Sequence, residues 1–148
     1  MEDNIIGFHH FSIKAQRFQQ TVDFYGTLGF KEVHSWSLPE FHLEQCTMLY
    51  HPRLNTYIEI CDKKAHFPTQ GRRRKEGEDF VENAIMHLCF VVKDAQRAYE
   101  TALGNGAKPL SERTSLQLNS PVKSVSVANS LVYSPNGEVI EFLEAVEF

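Results

Sequence analysis

Residues 10–15 read His-Phe-Ser-Ile-Lys-Ala, and residues 87–92 read His-Leu-Cys-Phe-Val-Val. Each stretch is followed, at a similar distance, by a strand-like segment with a central glutamate. These segments are residues 57–60, Tyr-Ile-Glu-Ile, and residues 139–142, Val-Ile-Glu-Phe. The chain therefore contains an approximate internal repeat. A duplicated unit tends to pack as a pseudo-symmetric pair, which would bring equivalent residues together.

Length and composition fit one compact unit, or two half-size modules that share a core. The 148 residues are 42% hydrophobic and 23% charged, as in ordinary globular proteins. The net charge of -4 argues against a general nucleic-acid binder. No apolar run approaches the ~20 residues that cross a membrane. The acidic N-terminus lacks a signal-like apolar run and the three cysteines lack framework spacing, so we expect a cytoplasmic protein with reduced thiols.

The first copy predicts a strand, a helix and three further strands. Residues 8–15 alternate in character, as a half-buried strand does. Apolar residues then recur at helical spacing over residues 18–28, and Gly29 is a plausible stop. The remaining strands are predicted over residues 30–36, 43–50 and 57–61, with Pro39 breaking the chain between the first two.

The second copy predicts the same order of elements. A strand over residues 86–92 precedes a helix that Asp94 can cap and that Asn105 and Gly106 end. Gly106 is the repeat partner of Gly29. Further strands are predicted near residues 107–111, 124–133 and 139–143, with a turn at residues 134–137.

A long polar segment separates the copies. Module one spans about residues 5–61, the joining segment 62–84, and module two about 85–146, all within one domain. The joining segment is longer than most connections, so it is either a functional lid or a poorly ordered linker. Its basic run, Arg72-Arg73-Arg74-Lys75, is interpreted as a solvated charge run, and an arm that approaches an anionic ligand is the alternative.

Strand alternation predicts which side chains share a face. If the apolar residues pack on the helices, the opposite faces carry His10, Ser12, Lys14, Tyr57, Glu59 and Cys61 in the first copy, and His87, Cys89, Val91, Val139, Glu141 and Leu143 in the second. His9 is expected to point away from His10. Two histidines and two glutamates at equivalent repeat positions favour a mixed nitrogen and oxygen site for a divalent metal.

A simpler interpretation exists for each residue taken singly. A strand histidine is usually a satisfied core or surface residue, and a glutamate between apolar neighbours can lie on the solvent face of an antiparallel strand. The occurrence of two histidines and two glutamates at equivalent positions of the repeat favours the interpretation as a metal site. The histidines without such a repeat partner are interpreted as surface or packing residues, and Cys61 and Cys89 as packing residues; those histidines are His9, His34, His42, His51 and His66.

These motifs resemble the vicinal oxygen chelate superfamily, which includes glyoxalase I, methylmalonyl-CoA epimerase, fosfomycin-resistance proteins, bleomycin-binding proteins and extradiol dioxygenases. The resemblance covers nearly the whole chain. It implies an α+β fold of two tandem βαβββ modules, whose sheets form a cupped, incomplete mixed-sheet barrel around a metal. It is carried by residues 10–14, Phe24-Tyr25, residues 28–30, the segments around both glutamates, residues 87–94 and the Ser134-Pro135-Asn136-Gly137 turn.

The resemblance implies that His10, Glu59, His87 and Glu141 bind one divalent ion, which could be nickel, cobalt, zinc or manganese. This ligand set is typical of glyoxalase I. The implied activity is a lyase or isomerase reaction on a small α-oxo substrate or its thiol adduct. The metal would act as a Lewis acid and stabilise an enediolate, and Glu141 would move the proton, with Glu59 as the symmetric alternative.

The expected substrate contacts are Ser12, Lys14, Tyr57, Cys89 and Leu143. Lys14 and Lys63 stand where glyoxalases usually have the arginine and asparagine that bind glutathione, so the substrate is expected to be anionic but is not identified as a glutathione adduct. Two alternatives stay open: a non-catalytic drug-binding or toxin-binding resistance protein, and an epimerase or thiol transferase acting on an anionic metabolite. A homodimer is expected, without nucleic-acid or membrane partners.

Overall fold

The computed structural model describes residues 8–66, 75–78, 85–119 and 124–145, and the chain divides into two compact units, Met1–Gln70 and Gly71–Phe148. Both units have the predicted order of one strand, one helix and three strands. Unit 1 contains β1 (His10–Ala15), α1 (Phe18–Thr27), β2 (Lys31–Leu38), a 3₁₀ turn (Pro39–Phe41), β3 (Leu43–His51) and β4 (Thr56–Asp62). Unit 2 contains β5 (Leu88–Val92), α2 (Ala95–Gly104), β6 (Lys108–Asn119), β7 (Ser124–Tyr133) and β8 (Val139–Glu144).

Each unit forms one four-stranded mixed sheet, and the two sheets have the same topology. The strand order is β1-β4-β3-β2 in unit 1 and β5-β8-β7-β6 in unit 2. The first and last strands of each unit pair in parallel, and the other pairs are antiparallel. Parallel pairing requires a long crossover, which the helix and the two middle strands supply. The predicted α+β fold of two βαβββ modules is confirmed.

One face of the unit 1 sheet is buried, and that face fixes the direction of the other side chains. In β1, Ile13 and Ala15 are buried while Ser12 and Lys14 are exposed. Ile58 and Ile60 of β4 are fully buried. Burying each large aliphatic side chain stabilises the fold by about 1.5–3 kcal/mol, and a one-residue shift in register would expose the whole set.

Both helices end next to a glycine in the left-handed region of backbone conformation, as the repeat predicted. Gly29 has a φ of 97° and Gly106 a φ of 90°, values that side chains disfavour. Space is also restricted at Gly29, because a Cβ atom there would lie 2.8 Å from His51 Nε2. The predicted cap of α2 is confirmed, since the Asp94 carboxylate accepts a hydrogen bond from the Arg97 backbone N–H at 2.9 Å.

Strand β6 is longer than predicted, because it continues to Asn119 rather than ending near residue 111. Its side chains from residue 112 to residue 118 are exposed, so no buried face marks this part of the strand in the sequence. Backbone pairing with β7 holds it instead. Residues 72–74 of the basic run, and most of the proposed lid, lie outside the described residues. No helix in the described ranges is long and apolar enough to cross a membrane.

A buried carboxylate connects the two central strands of unit 1. Asp62, at the end of β4, accepts hydrogen bonds from the backbone N–H groups of Glu44 (2.7 Å), Gln45 (2.6 Å) and Lys64 (2.7 Å). Burial by itself would raise the pKa of Asp62, but these backbone donors outweigh it and lower the pKa below its ordinary value. The charged form of Asp62 therefore stabilises the fold.

We expect Asp62→Asn to lower the free energy of unfolding by about 1–3 kcal/mol at pH 7, because hydrogen bonds from three backbone donors to a charged acceptor are weakened. The folded-state pKa is depressed, so this contribution is complete above the unfolded-state pKa of about 4 and is lost as the pH falls through the folded-state value. Urea unfolding at several pH values measures the difference between wild type and variant.

Asp23→Asn is the matched control, since Asp23 is exposed on α1 and accepts only a side-chain hydrogen bond from Gln19 among the interactions described. It should change stability by less than about 0.5 kcal/mol at any pH. An Asp62→Asn effect of the same size at pH 2 and pH 7 would contradict this assignment.

Candidate metal centre

Unit 2 brings one predicted histidine and one predicted glutamate into contact. His87 Nε2 lies 3.1 Å from Glu141 Oε2, with the histidine side chain 40% exposed and the glutamate side chain 15% exposed. Two donors bound at adjacent positions of one ion, each about 2.1 Å from it, stand about 3 Å apart. The separation of this imidazole nitrogen and this carboxylate oxygen therefore fits a shared divalent ion.

An asparagine that the sequence analysis did not single out holds the other oxygen of Glu141. Asn129 of β7 donates a hydrogen bond from Nδ2 to Glu141 Oε1 at 2.6 Å. Asn129 is 8% exposed, and within the described residues its Oδ1 is buried without a hydrogen-bond partner. Asn129 thus fixes Oε1 and leaves Oε2 to face His87.

Unit 1 places His10 and Glu59 on neighbouring parallel strands, with the same offset in register that separates His87 from Glu141 in unit 2. His10 is opposite Tyr57, and Glu59 lies two residues further along β4, opposite Ser12. In unit 2, Leu88 is opposite Ile140, so His87 precedes the strand at the level of Val139, two residues before Glu141. The four predicted ligands therefore occupy equivalent register positions, one histidine and one glutamate in each unit, and a direct contact is described for His87 and Glu141. Their binding to a common ion stays a prediction.

The expected orientation of His9 is wrong. Its ring stacks on the ring of Tyr57 with centroids 4.7 Å apart, and its Nδ1 lies 2.9 Å from His10 Nδ1. His9 therefore lies beside the candidate ligand. The reason is that β1 begins at His10, so the alternation of a regular strand does not govern His9. By contrast, His51 is a packing residue as predicted, with Nε2 3.1 Å from the Leu28 carbonyl oxygen.

The predicted substrate contacts lie opposite or beside the candidate ligands of their own unit. In unit 1, Ser12 is exposed opposite Glu59, and Lys14 is exposed opposite Cys61. Tyr57 is partly buried, and its ring lies 4.8 Å from the ring of Tyr50.

In unit 2, Cys89 lies opposite Glu141, and Leu143 lies opposite Asn129. Cys89 is exposed, whereas Leu143 is partly buried. Partial burial of the thiol, together with the charge and hydrogen bonding of Glu141, raises the pKa of Cys89 to about 11. Cys89 is therefore a neutral thiol at physiological pH.

A pair of thiols adjoins the unit 1 half of the candidate centre. Cys46 and Cys61 oppose each other on β3 and β4, with Sγ atoms 3.3 Å apart. Both are free thiols, and their hydrogen bond raises the pKa of Cys46 and lowers that of Cys61. The interpretation of Cys61 as a packing residue omitted Cys46, because the pairing of β3 with β4 is not visible as a local sequence pattern.

Comparisons with known proteins agree with the fold of this chain. A family model described as the Glyoxalase/Bleomycin resistance protein/Dioxygenase superfamily matches residues 7–142. Among solved structures, a glyoxalase family protein from Enterococcus faecalis is similar, with 20% identity, a TM-score of 0.61, and coverage of 95% of this chain and 98% of that chain. No protein among those with curated functions matches the sequence.

Two further similar structures are those of a glyoxalase I and of a fosfomycin resistance protein. The trypanothione-dependent glyoxalase I of Leishmania major has 18% identity and a TM-score of 0.59, with coverage of 95% of this chain and 87% of that chain. The fosfomycin resistance protein FosX of Listeria monocytogenes, solved with Mn(II) and sulfate, has 14% identity and a TM-score of 0.56, with 95% and 93% coverage. At these identities the likeness shows the shared fold.

The raised pKa of Cys89 predicts slow alkylation. In metal-free protein at pH 8, iodoacetamide should modify this exposed thiol more than about tenfold more slowly than a thiol with an ordinary pKa, because little thiolate is present. Glu141→Gln removes a nearby negative charge and should accelerate the reaction several-fold. Glu144→Gln, which removes a carboxylate paired with Arg113 instead, should not. Equal rates for wild type and Glu141→Gln would refute the influence of Glu141; mass spectrometry identifies the modified cysteine.

Proposed function

The chain belongs to the glyoxalase/bleomycin resistance protein/dioxygenase superfamily, and from this premise we propose that it is a metal-dependent lyase or isomerase of the glyoxalase I type. The proposed reaction moves a proton between adjacent carbons of a small α-oxo substrate or its thiol adduct. The observation that carries the proposal is the His87–Glu141 contact, in which Asn129 fixes one carboxylate oxygen and the other faces an imidazole nitrogen.

The proposed metal site uses His10, Glu59, His87 and Glu141. Two imidazole nitrogens and two carboxylates suit nickel, cobalt, zinc or manganese. Each module holds its histidine and glutamate in the same strand register, which supports assigning the same role to both pairs. When bound, the ion supplies Lewis acidity, which polarises a substrate carbonyl and offsets the negative charge that develops on its oxygen.

In this proposal Glu141 is the base. A carboxylate can remove the proton from the carbon beside a carbonyl and return it to the neighbouring carbon. For Glu141 this requires that Oε2 loosens from the metal and turns to the substrate while Oε1 stays bound to Asn129. The hydrogen bond from Asn129 to Oε1 restricts rotation of the carboxylate, so Asn129 is a positioning residue. Glu59 is the symmetric alternative for the base.

The residues beside the two pairs suit a small organic substrate with an anionic end. Lys14 supplies a positive charge on the Glu59 side, and Ser12 supplies a hydroxyl group. Tyr57 and Leu143 supply partly buried apolar surface. Cys89 lies opposite Glu141 as an exposed thiol rather than the packing residue that was expected, and its raised pKa disfavours a role as a covalent nucleophile. Dimerisation of the chain belongs to the same proposal.

We expect about one divalent ion per chain in protein purified without chelator, as measured by elemental mass spectrometry. His10→Ala and Glu141→Ala should each abolish metal retention, because each removes a ligand from a different half of the site. Asn129→Ala removes no ligand and should weaken metal affinity about 10–100-fold, since it releases the carboxylate that it orients.

Two exposed residues outside the proposed metal site provide matched controls. His66 and Glu100 are exposed, and His66→Ala and Glu100→Ala should retain the metal. Protein that contains no metal, and that takes up none of nickel, cobalt, zinc or manganese, would overturn the proposed mechanism. A non-catalytic small-molecule binding protein would then be the better interpretation.

Turnover tests the base directly. With α-oxo aldehydes and a panel of thiols as substrates, Glu141→Gln should lower kcat by about 10²–10⁴-fold while retaining part of the metal, because glutamine can bind an ion but cannot accept the proton. Glu59→Gln measured in parallel distinguishes the two glutamates. Unchanged rates in Glu141→Gln protein would reject this role for Glu141. Turnover of an epimerase or thiol-transfer substrate instead would move the proposal to those reactions.

A further inference from the structure

Unit 1 contains a second group of potential metal ligands, which shares Glu59 with the four-residue set and adds two thiols that this set does not use. Cys46 and Cys61 face each other across β3 and β4, and Glu59 precedes Cys61 by two residues on the same strand face. One ligand atom from each of the three residues lies within 4.8 Å of the others. The cluster thus combines two sulfur atoms and one carboxylate oxygen.

We propose that Cys46, Cys61 and Glu59 form a binding site for a thiophilic divalent cation of the zinc or cadmium class. Donors around a tetrahedral ion with metal–sulfur bonds of about 2.3 Å stand roughly 3.5–4 Å apart. The 3.3 Å separation of the two sulfur atoms is close to this spacing. Small changes in side-chain torsion angles therefore suffice to form the site.

The surroundings of the two sulfurs favour a soft ion over a hard one. Cys46 is 1% exposed and Cys61 is 2% exposed, within a cluster that includes the buried side chains of Leu43 and Ala65. Two thiolates in such an apolar setting repel each other unless a cation lies between them. Binding releases the two thiol protons to solvent, so a divalent ion neutralises the two charges that form at sulfur. Thiolates select zinc-like ions, whereas carboxylates and water suit magnesium or manganese.

A hydroxyl group is available to complete the site. Ser12 Oγ lies 3.9 Å from Cys61 Sγ, on the neighbouring strand β1. It can donate a hydrogen bond to a metal-bound thiolate, or to a water molecule in the fourth coordination position. A neighbouring donor of this kind orients a ligand and tunes its affinity for the metal.

Glu59 belongs to both donor sets, so the two sites would compete for its carboxylate; this competition rests on the proposed function. A thiophilic ion bound to Cys46 and Cys61 would draw the Glu59 carboxylate away from the site that includes His10. Zinc-class ions at the sulfur site would then compete with the ion that supports turnover. The direct binding measurement below does not depend on turnover, so failure of either proposal is distinguishable from failure of the other.

The test is a titration of reduced, metal-free protein with cadmium, followed by the ultraviolet charge-transfer absorption of cadmium–thiolate bonds and by proton release. Wild-type protein should give a band that saturates at one cadmium per chain, with about two protons released at a pH where both thiols are protonated before binding. Cys46→Ser and Cys61→Ser should each weaken binding at least about 100-fold, and Glu59→Gln about tenfold.

Cys89→Ser is the matched control, because it removes the third, exposed thiol and should leave the band and the affinity unchanged. Retention of the wild-type band by Cys46→Ser, or its loss in Cys89→Ser, would overturn the proposal. X-ray absorption at the cadmium edge identifies the ligands in the wild-type complex, so this test does not depend on whether the variants fold. Two sulfur neighbours with oxygen are expected, and a shell of oxygen and nitrogen alone would also reject the site.

Discussion

The parallel pairing of the first and last strands within each unit determines the geometry of the candidate centre. One face of this pair is buried, as the fully buried Ile58 and Ile60 illustrate. Because side chains alternate along a strand, that burial directs Glu59 to the other face. Parallel register then fixes His10 at a constant offset from Glu59, and unit 2 repeats the arrangement. Hydrophobic burial on one face is therefore the cause of polar alignment on the other.

Glu141 shows how this alignment becomes a defined chemical group. Its side chain is only 15% exposed, and a carboxylate in such a position destabilises the fold unless it is hydrogen-bonded, paired or bound to metal. Asn129 and His87 together engage both oxygens. The carboxylate is consequently held in one orientation, which under the proposed function would lower the conformational cost of metal binding and of proton transfer.

Glu59 has a different environment from its repeat partner. Where Glu141 is held by an amide, Glu59 adjoins two buried thiols on β3 and β4. The two halves of the repeat have therefore kept the same histidine–glutamate register while their supporting residues differ. Under the two proposals, Asn129 of the second module positions the base Glu141. In the first module, Glu59 belongs both to the metal centre and to a site for softer ions.

Local patterns in the amino-acid sequence predicted the repeat, the order of elements, the α2 cap at Asp94 and the strand faces that carry the paired histidines and glutamates. These features depend on local periodicity and turn chemistry, which neighbouring residues encode. Three other features became visible in the folded chain: Asn129 contacts Glu141, Cys46 opposes Cys61, and β6 continues to Asn119. Such contacts depend on the register between strands that are distant along the chain. Backbone hydrogen bonds and packing fix that register, and no local pattern in either strand records it.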